Sequence, residues 1–296
     1  MNVLICYFSG TGNTELVAQM YARCLSNSCT VTLHDMTSSA LPSLEGVDWV
    51  GIGYPIHAFN QPALVRNFVK SLPLNSTHKV FIFKVSGEPL ALNNASSTLI
   101  WRILRKKHTQ LLGEIHLLMP YNIMFKHGDR LAKKMYLTTS ALVPINVEQL
   151  ITGSAPTIRA SLLAHLMRVL CSIELRGCRL IGKSFHTTSA CTGCGKCARN
   201  CPLDNITITA KKEVKFNNKC NLCMRCVCNC PVDAINIGLL NHWRVNGTYN
   251  YARLLSDDTI TTNFTTADTE RYYSSYVTYF DYADSTITQY INNLHS

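Results

Sequence analysis

Five short apolar runs punctuate the first 120 residues: Val3 to Phe8, Val31 to Leu33, Val47 to Gly53, Val80 to Val85 and Ile115 to Met119. They are near-continuous rather than alternating, which predicts strands buried on both faces, as in a parallel sheet. Helical spacing fills the gaps between them. Leu16, Val17, Met20, Tyr21 and Cys24 recur at i, i+1, i+4, i+5 and i+8 and line one helical face. Further helices are predicted over Pro62 to Lys70, Ser97 to Lys107 and Asp129 to Val143. Strands alternating with helices define an α/β domain with a doubly wound parallel sheet.

The pattern then changes. A basic amphipathic helix is predicted from about Ile158 to Leu175, followed by a cysteine-rich stretch that runs to about Gly238. From Asn241 the chain turns to Tyr, Thr, Asn, Ser and Asp, and no fold is predicted for it. The expected division is therefore 1–155 for the α/β domain, 156–187 for a connecting helix, 188–240 for the cysteine-rich domain and 241–296 for an extension. No apolar run approaches the ~18 residues that cross a bilayer; the nearest, Leu162 to Leu175, is broken by His165, Arg168 and Glu174. Met1-Asn2 leads straight into the first strand without a signal-peptide pattern, so a cytoplasmic location is expected.

Charge modifies the picture only slightly. The formal net charge is +10, and it is uneven: residues 96–190 carry 13 basic and 4 acidic side chains, and 191–255 carry 9 and 3. The last 41 residues carry 1 and 6. A basic balance raises the question of nucleic acid. Bound anionic groups and a docking surface for an acidic protein account for the excess equally well, and no nucleic-acid partner is expected.

The strongest chemical signal is a repeat. Cys191-x2-Cys194-x2-Cys197-x3-Cys201-Pro202 returns about 29 residues later as Cys220-x2-Cys223-x2-Cys226-x3-Cys230-Pro231. Three cysteines on a tight loop reach three iron corners of one cubane, and the fourth, fixed by the proline turn, points to the other. This assigns Cys191, Cys194, Cys197 and Cys230 to one 4Fe-4S cluster, and Cys201, Cys220, Cys223 and Cys226 to a second. Zinc also uses paired CxxC units, but a zinc ion takes four ligands and has no use for two such repeats ending in Cys-Pro. Gly193 and Gly195 suit tight turns whose amides approach the sulfurs. Cys228 interrupts the second motif and is read as a bystander. Crowding of most of the 14 cysteines into one segment of a long chain points to ligation rather than a disulfide framework.

Ser9-Gly10-Thr11-Gly12-Asn13-Thr14 joins the first predicted strand to the first helix. Amides at a helix N-terminus with nearby hydroxyls suit a phosphate monoester. A P-loop needs a lysine before its last Ser/Thr, and a dinucleotide fingerprint needs a glycine where Glu15 stands. A mononucleotide remains, and FMN is the redox one.

The cysteine segment resembles bacterial-type dicluster ferredoxins, and the Ser9–Thr14 loop is similar to the phosphate loop of flavodoxins. The combination resembles flavodoxin–ferredoxin fusions of anaerobes over residues 1 to about 255. That resemblance implies a flavodoxin-like sheet followed by a small α+β bacterial-type dicluster ferredoxin domain. It also implies that the isoalloxazine is wrapped by the loops after the two central strands: Tyr54, Pro55, Ile56, His57, Ala58 and Phe59, then Ser86, Gly87 and Glu88, with Pro89 beside them. Tyr54, His57 and Phe59 are read either as ring contacts or as packing, with His57 expected to face solvent. Asn93 and Asn94 are read either as flavin contacts or as caps of the helix that follows.

The function expected is electron transfer, with FMN and two 4Fe-4S clusters converting between two-electron and one-electron steps. No NAD(P) site is visible, so electrons are expected to pass through redox partner proteins. The alternative is an FMN-dependent reductase of a small molecule with the clusters as an internal wire. No catalytic Ser/His/Asp or paired-carboxylate constellation stands out. The basic run Arg102, Arg105, Lys106 and Lys107 is read as a solvated face. Tyr272, Tyr273, Tyr276, Tyr279 and Tyr282 are read as packing or cover.

Overall fold

The computed structural model describes residues 1–245, 247–263 and 274–294, with the side chains of 173–176, 274 and 294 outside that description. Tyr272 and Tyr273 fall outside the described residues.

All five apolar runs are strands: β1 Asn2–Tyr7, β2 Thr30–Asp35, β3 Trp49–Pro55, β4 Lys79–Ser86 and β5 Gln110–Leu118. They form one parallel sheet in the order β2-β1-β3-β4-β5. Helices α1 (Asn13–Leu25), α2 (Ala63–Ser71) and α3 (Thr98–Lys106) connect strands, α4 (Asp129–Thr152) follows β5, and together they cover the sheet. Its two faces are separate cores. Val3, Ile5, Phe81 and Phe83 pack towards α1 and α4, while Leu4, Cys6, Ile52 and Ile82 pack towards α2 and α3. This is the period-two alternation of a strand buried on both sides.

Helix α4 runs nine residues beyond the expected end at Val143 and passes through Pro144. A mid-helix proline costs about 3 kcal/mol. Val147 and Leu150 beyond it are buried in the core, each stabilising by roughly 1.5–3 kcal/mol, so packing outweighs the lost hydrogen bond.

Helix α5 (Leu162–Lys183) starts later than expected and reaches the cysteine-rich domain. It is more than a connector: it packs along the 3-10 turn Ala91–Ser97, and Gly182 near its end faces Cys220. The small domain pairs β6 (His186–Thr187) with β9 (Ile235–Asn236), and β7 (Ile206–Ile208) with β8 (Val214–Phe216). One-turn helices α6 (Lys196–Arg199) and α7 (Arg225–Cys228) occupy matching places in the two cysteine motifs. The extension holds α8 (Tyr251–Ser256) and α9 (Ser274–Leu294). Tyr276 and Phe280 of α9 join Leu118, Leu131 and Met135 in a satellite core, so α9 is docked on α4 and the end of β5.

Candidate functional site

The strand order reverses between β1 and β3, and a doubly wound sheet holds its ligand outside the carboxyl ends of the strands at that switch. The loops after β1, β3, β4 and β5 all lie there. The first is Ser9–Gly12, with Gly12 at φ +100° opening α1, which no side chain caps. Its free amides are the donors that a phosphate needs. Ser9 to Asn13 line a cavity of about 610 Å³ that continues along Glu15, Leu16 and Gln19 to Tyr249 and Tyr251. Thr14 is buried and stands outside that lining.

The loop's own polar groups are engaged from three directions. Asn122 donates to Thr11 Oγ1 at 2.7 Å, Asn13 donates to the Pro120 carbonyl at 2.8 Å, and Tyr251 donates to Asn13 Oδ1 at 2.9 Å. Arg225, from the second cysteine motif, donates to the Ser9 carbonyl at 2.6 and 3.2 Å and stands over the Phe8 ring. Gly10 lies so close to the Cys223 carbonyl that any side chain there would overlap it. The cysteine-rich domain is thus seated directly on the phosphate loop.

The loop after β3 closes in a two-residue turn. His57 and Asn60 exchange backbone hydrogen bonds of 2.9 Å each way, with Ala58 at φ +43° and Phe59 at φ +58°. Left-handed backbone at two consecutive non-glycine residues costs about 1–2 kcal/mol each. Asn60 holds the turn by donating to the Ala58 carbonyl and to the Arg168 carbonyl of α5, both at 3.0 Å. Pro55, Ile56 and Phe59 are partly exposed and Ala58 is exposed. Tyr54 is not: its side chain is fully buried in the α2/α3 core and has no surface to offer a ring. His57 is partly buried rather than solvent-facing, and burial pushes its imidazole down to about 4, which leaves it neutral at ordinary pH.

The loop after β4 is braced from below. Ser86 Oγ donates to the Glu88 carbonyl at 2.6 Å and lies 2.7 Å from His116 Nε2, while Asn93 donates to Glu88 O at 3.1 Å. Burial, reinforced by the Lys84 charge, pushes His116 down to about 3. Asn93 thus supports the loop, and Asn94 donates to Arg159 O rather than capping the helix. Lys84 and Glu114 form a fully buried 2.6 Å ion pair beneath this loop. The ammonium also donates to the Asn93 and Asn94 carbonyls, and Ser97 and Trp101 donate to the carboxylate. Gly87 is buried against the Tyr121 ring.

Tyr121, Asn122, His127, Arg225, Tyr251 and Tyr276 were not legible as site residues. The first three follow β5 at the ligand edge, and that position was the available signal. The others come from distant segments and carried none.

The eight motif cysteines sort into two cavities. Cys191, Cys194, Cys197 and Cys230 line one; Cys201, Cys220, Cys223 and Cys226 line the other. These are the two quartets expected from the spacing. Cys228 lines neither and sits buried 3.8 Å from the Val245 carbonyl. Among the described residues, no three His, Cys, Asp or Glu side chains converge closely enough to hold one metal ion. Four cysteines lining one cavity are the ligand set of a 4Fe-4S cubane. Backbone amides point at the sulfurs, among them Asn205 N at Cys201 (3.3 Å), Leu222 N at Cys220 (3.4 Å) and Ala234 N at Cys230 (3.2 Å). The two motifs share one conformation: Gly193 and Gly195 have φ +64° and +77°, and at the equivalent positions Leu222 and Met224 have +55° and +58°. Glycine takes that backbone freely, so the second motif bears a strain that the first avoids.

A parallel sheet with an uncapped phosphate loop at its switch point, joined to two cysteine-lined cavities, defines a flavin and iron–sulfur redox protein. Residues 4–113 match the flavodoxin domain family and residues 183–233 match the 4Fe-4S dicluster domain family. The chain therefore carries a flavodoxin domain followed by a 4Fe-4S dicluster domain, whose cofactors are FMN and two 4Fe-4S clusters. No curated protein matches it. Similar solved structures include a Streptococcus pneumonia TIGR4 flavodoxin, at 15% identity over 51% of this chain and 99% of that one, with TM-score 0.39. Flavodoxin 1 from Bacillus cereus matches at 13% identity over 51% and 98%, with TM-score 0.35. Rubredoxin oxygen:oxidoreductase from the anaerobe Desulfovibrio gigas matches at 15% identity over 51% and 36%, with TM-score 0.37. No helix among the described residues is long and apolar enough to cross a membrane.

Proposed function

We propose that this chain is an electron carrier coupling FMN to two 4Fe-4S clusters, exchanging electrons with redox partner proteins. The observation that carries the reading is the seating of the second cysteine motif on the phosphate loop, with one complete quartet lining each of two cavities. When bound, FMN supplies two-electron capacity and the clusters supply one-electron steps. Ser9, Gly10, Thr11, Gly12 and Asn13 would hold the phosphate, with Thr14 packing behind them. Pro55 to Phe59 and Ser86 to Glu88 would flank the ring, Tyr54 supporting them from the core. Cys191, Cys194, Cys197 and Cys230 would hold one cluster; Cys201, Cys220, Cys223 and Cys226 the other. The amides on Cys201, Cys220 and Cys230 stabilise anionic sulfur and thereby raise the potential. Units 1–155, 156–187, 188–240 and 241–296 would then act as one body, α5 and the extension bracing the loops.

The reductase reading needs an open pocket at the ring loops. It also needs saturable turnover with a small-molecule substrate, which a pure carrier lacks. An anaerobic dithionite titration with iron and FMN quantified tests the proposal. About eight irons and one FMN per chain, with reduced-cluster EPR signals, are expected; zinc in place of iron, or no flavin, would overturn it.

A further inference from the structure

The two quartets are not equivalent. Cys223 of one is buried and packs with Leu4, Cys6 and Phe8 in the sheet's core. Cys194 of the other is exposed to solvent. One quartet is therefore internal, between the flavodoxin domain and the rest, and the other is external.

The external quartet has a basic rim. Arg199 lies along it and donates to the Cys194 carbonyl at 3.1 Å. Lys196 is exposed beside it and lines its cavity. The β7–β8 hairpin brings Lys211 and Lys212 over the same loop, with Lys212 packed against Gly193. Lys212 has φ +63° in a turn closed by Lys212 N to Thr209 O and Thr209 N to Glu213 O, both 2.9 Å, so the lysines stand on a fixed turn. All four basic side chains are exposed. Glu213 is exposed on the same hairpin, and Asp233 beyond Cys230 is neutralised by Arg244 at 2.9 and 3.0 Å. The charge around the external quartet is positive.

Resting on the carrier reading above, we propose that this rim is the docking surface for an acidic, one-electron carrier protein, which meets the chain at the external quartet. Four cations around a surface-exposed redox site steer an acidic partner and orient it with that site facing in. The basic face of α3 (Arg102, Arg105, Lys106) has no quartet beneath it and serves as the control.

The test uses the full, cofactor-loaded chain and an acidic 2Fe-2S ferredoxin as the probe, with binding measured by calorimetry. One-to-one binding is expected, weakening at least about tenfold between about 20 and about 300 mM salt. The K211E/K212E variant changes no cysteine and keeps the backbone and Cβ of position 212 that pack on Gly193; it should lose about tenfold or more in affinity with iron and FMN content unchanged. R102E/R105E/K106E should bind as the parent does. The docking surface is overturned if K211E/K212E binds normally, if the α3 variant loses as much, if the ferredoxin does not bind, or if duplex DNA or a second copy of the chain binds there instead. Failure of the carrier reading would appear separately, as missing iron or flavin in the parent chain.

Discussion

The Tyr276 hydroxyl donates a 2.6 Å hydrogen bond to the carbonyl oxygen of Gly87, 189 residues earlier in the chain. The bond is the last in a series. Tyr121 N–H donates to His127 Nδ1 at 3.0 Å, and His127 Nε2 lies 3.2 Å from the Tyr276 oxygen. With Nδ1 accepting, the neutral ring carries its proton on Nε2 and donates it to Tyr276. The C-terminal helix thus holds the loop after β4, and Tyr121, stacked on His127 at 5.2 Å, covers Gly87. Removing only the hydroxyl, as Tyr276→Phe, deletes a bond to a buried carbonyl worth about 1–3 kcal/mol. FMN should bind about 5- to 100-fold more weakly by fluorescence titration of flavin-free protein, while iron content is unchanged.

Acid should loosen the same region. Burial holds His57 and His127 down to about 4, and burial with the Lys84 charge holds His116 down to about 3, against about 6.5 in an unfolded chain. A lowered histidine pKa means that the unfolded state binds the proton first. The stabilisation is complete above about pH 6.5 and is lost as pH falls towards 4 and then 3. Each histidine contributes a slope of up to about 1.4 kcal/mol per pH unit in that window. Urea unfolding followed by far-UV dichroism from pH 7 to 4.5 should show the decline, and His127→Gln should flatten it.

Beneath the Ser86 loop, the Lys84–Glu114 pair has every described partner in place. Burial pulls the Lys84 ammonium below the usual lysine range, and the neighbouring carboxylate pulls it back. Glu114→Gln would leave that ammonium without its counter-charge and should cost about 3–5 kcal/mol in chemical denaturation. The double variant Lys84→Met/Glu114→Gln should lose less than the two single losses together, because no unpaired charge remains.

The quartet assignment predicts which thiols hold iron and which does not. Cys230→Ser should empty the cavity lined by Cys191, Cys194 and Cys197, and Cys201→Ser the one lined by Cys220, Cys223 and Cys226. Each change should take iron from about eight to about four per chain. Cys228→Ser should keep all of it, since that thiol lies outside both cavities. Iron analysis after anaerobic purification decides between these outcomes.

The sheet and the quartets were legible because their physics is local. Buried parallel strands are continuous apolar runs, and cubane ligands follow from spacing within a loop. What escaped depended on partners far along the chain. Val147 and Leu150 carry α4 past Pro144 only because a core awaits them. Tyr276, Phe280 and Ala283 recur at i, i+4 and i+7 and are buried, but the β-favouring Tyr and Thr around them masked that helical period. For Tyr54 the sequence left ring contact and packing open, and the side chain turns into the α2/α3 core. Arg225 carries no signal in the sequence, and only the fold brings it to the Ser9 carbonyl.

The close approach of Gly10 to the Cys223 carbonyl ties the Ser9–Gly12 loop to the second cysteine motif. A gene cut between 155 and 188 would yield one fragment with a bare phosphate loop and another with Cys223 and Arg225 facing water. The joint leaves room for hydrogen alone at position 10. Drift in either domain is therefore constrained by the backbone of the other, and the pair can change only as a unit.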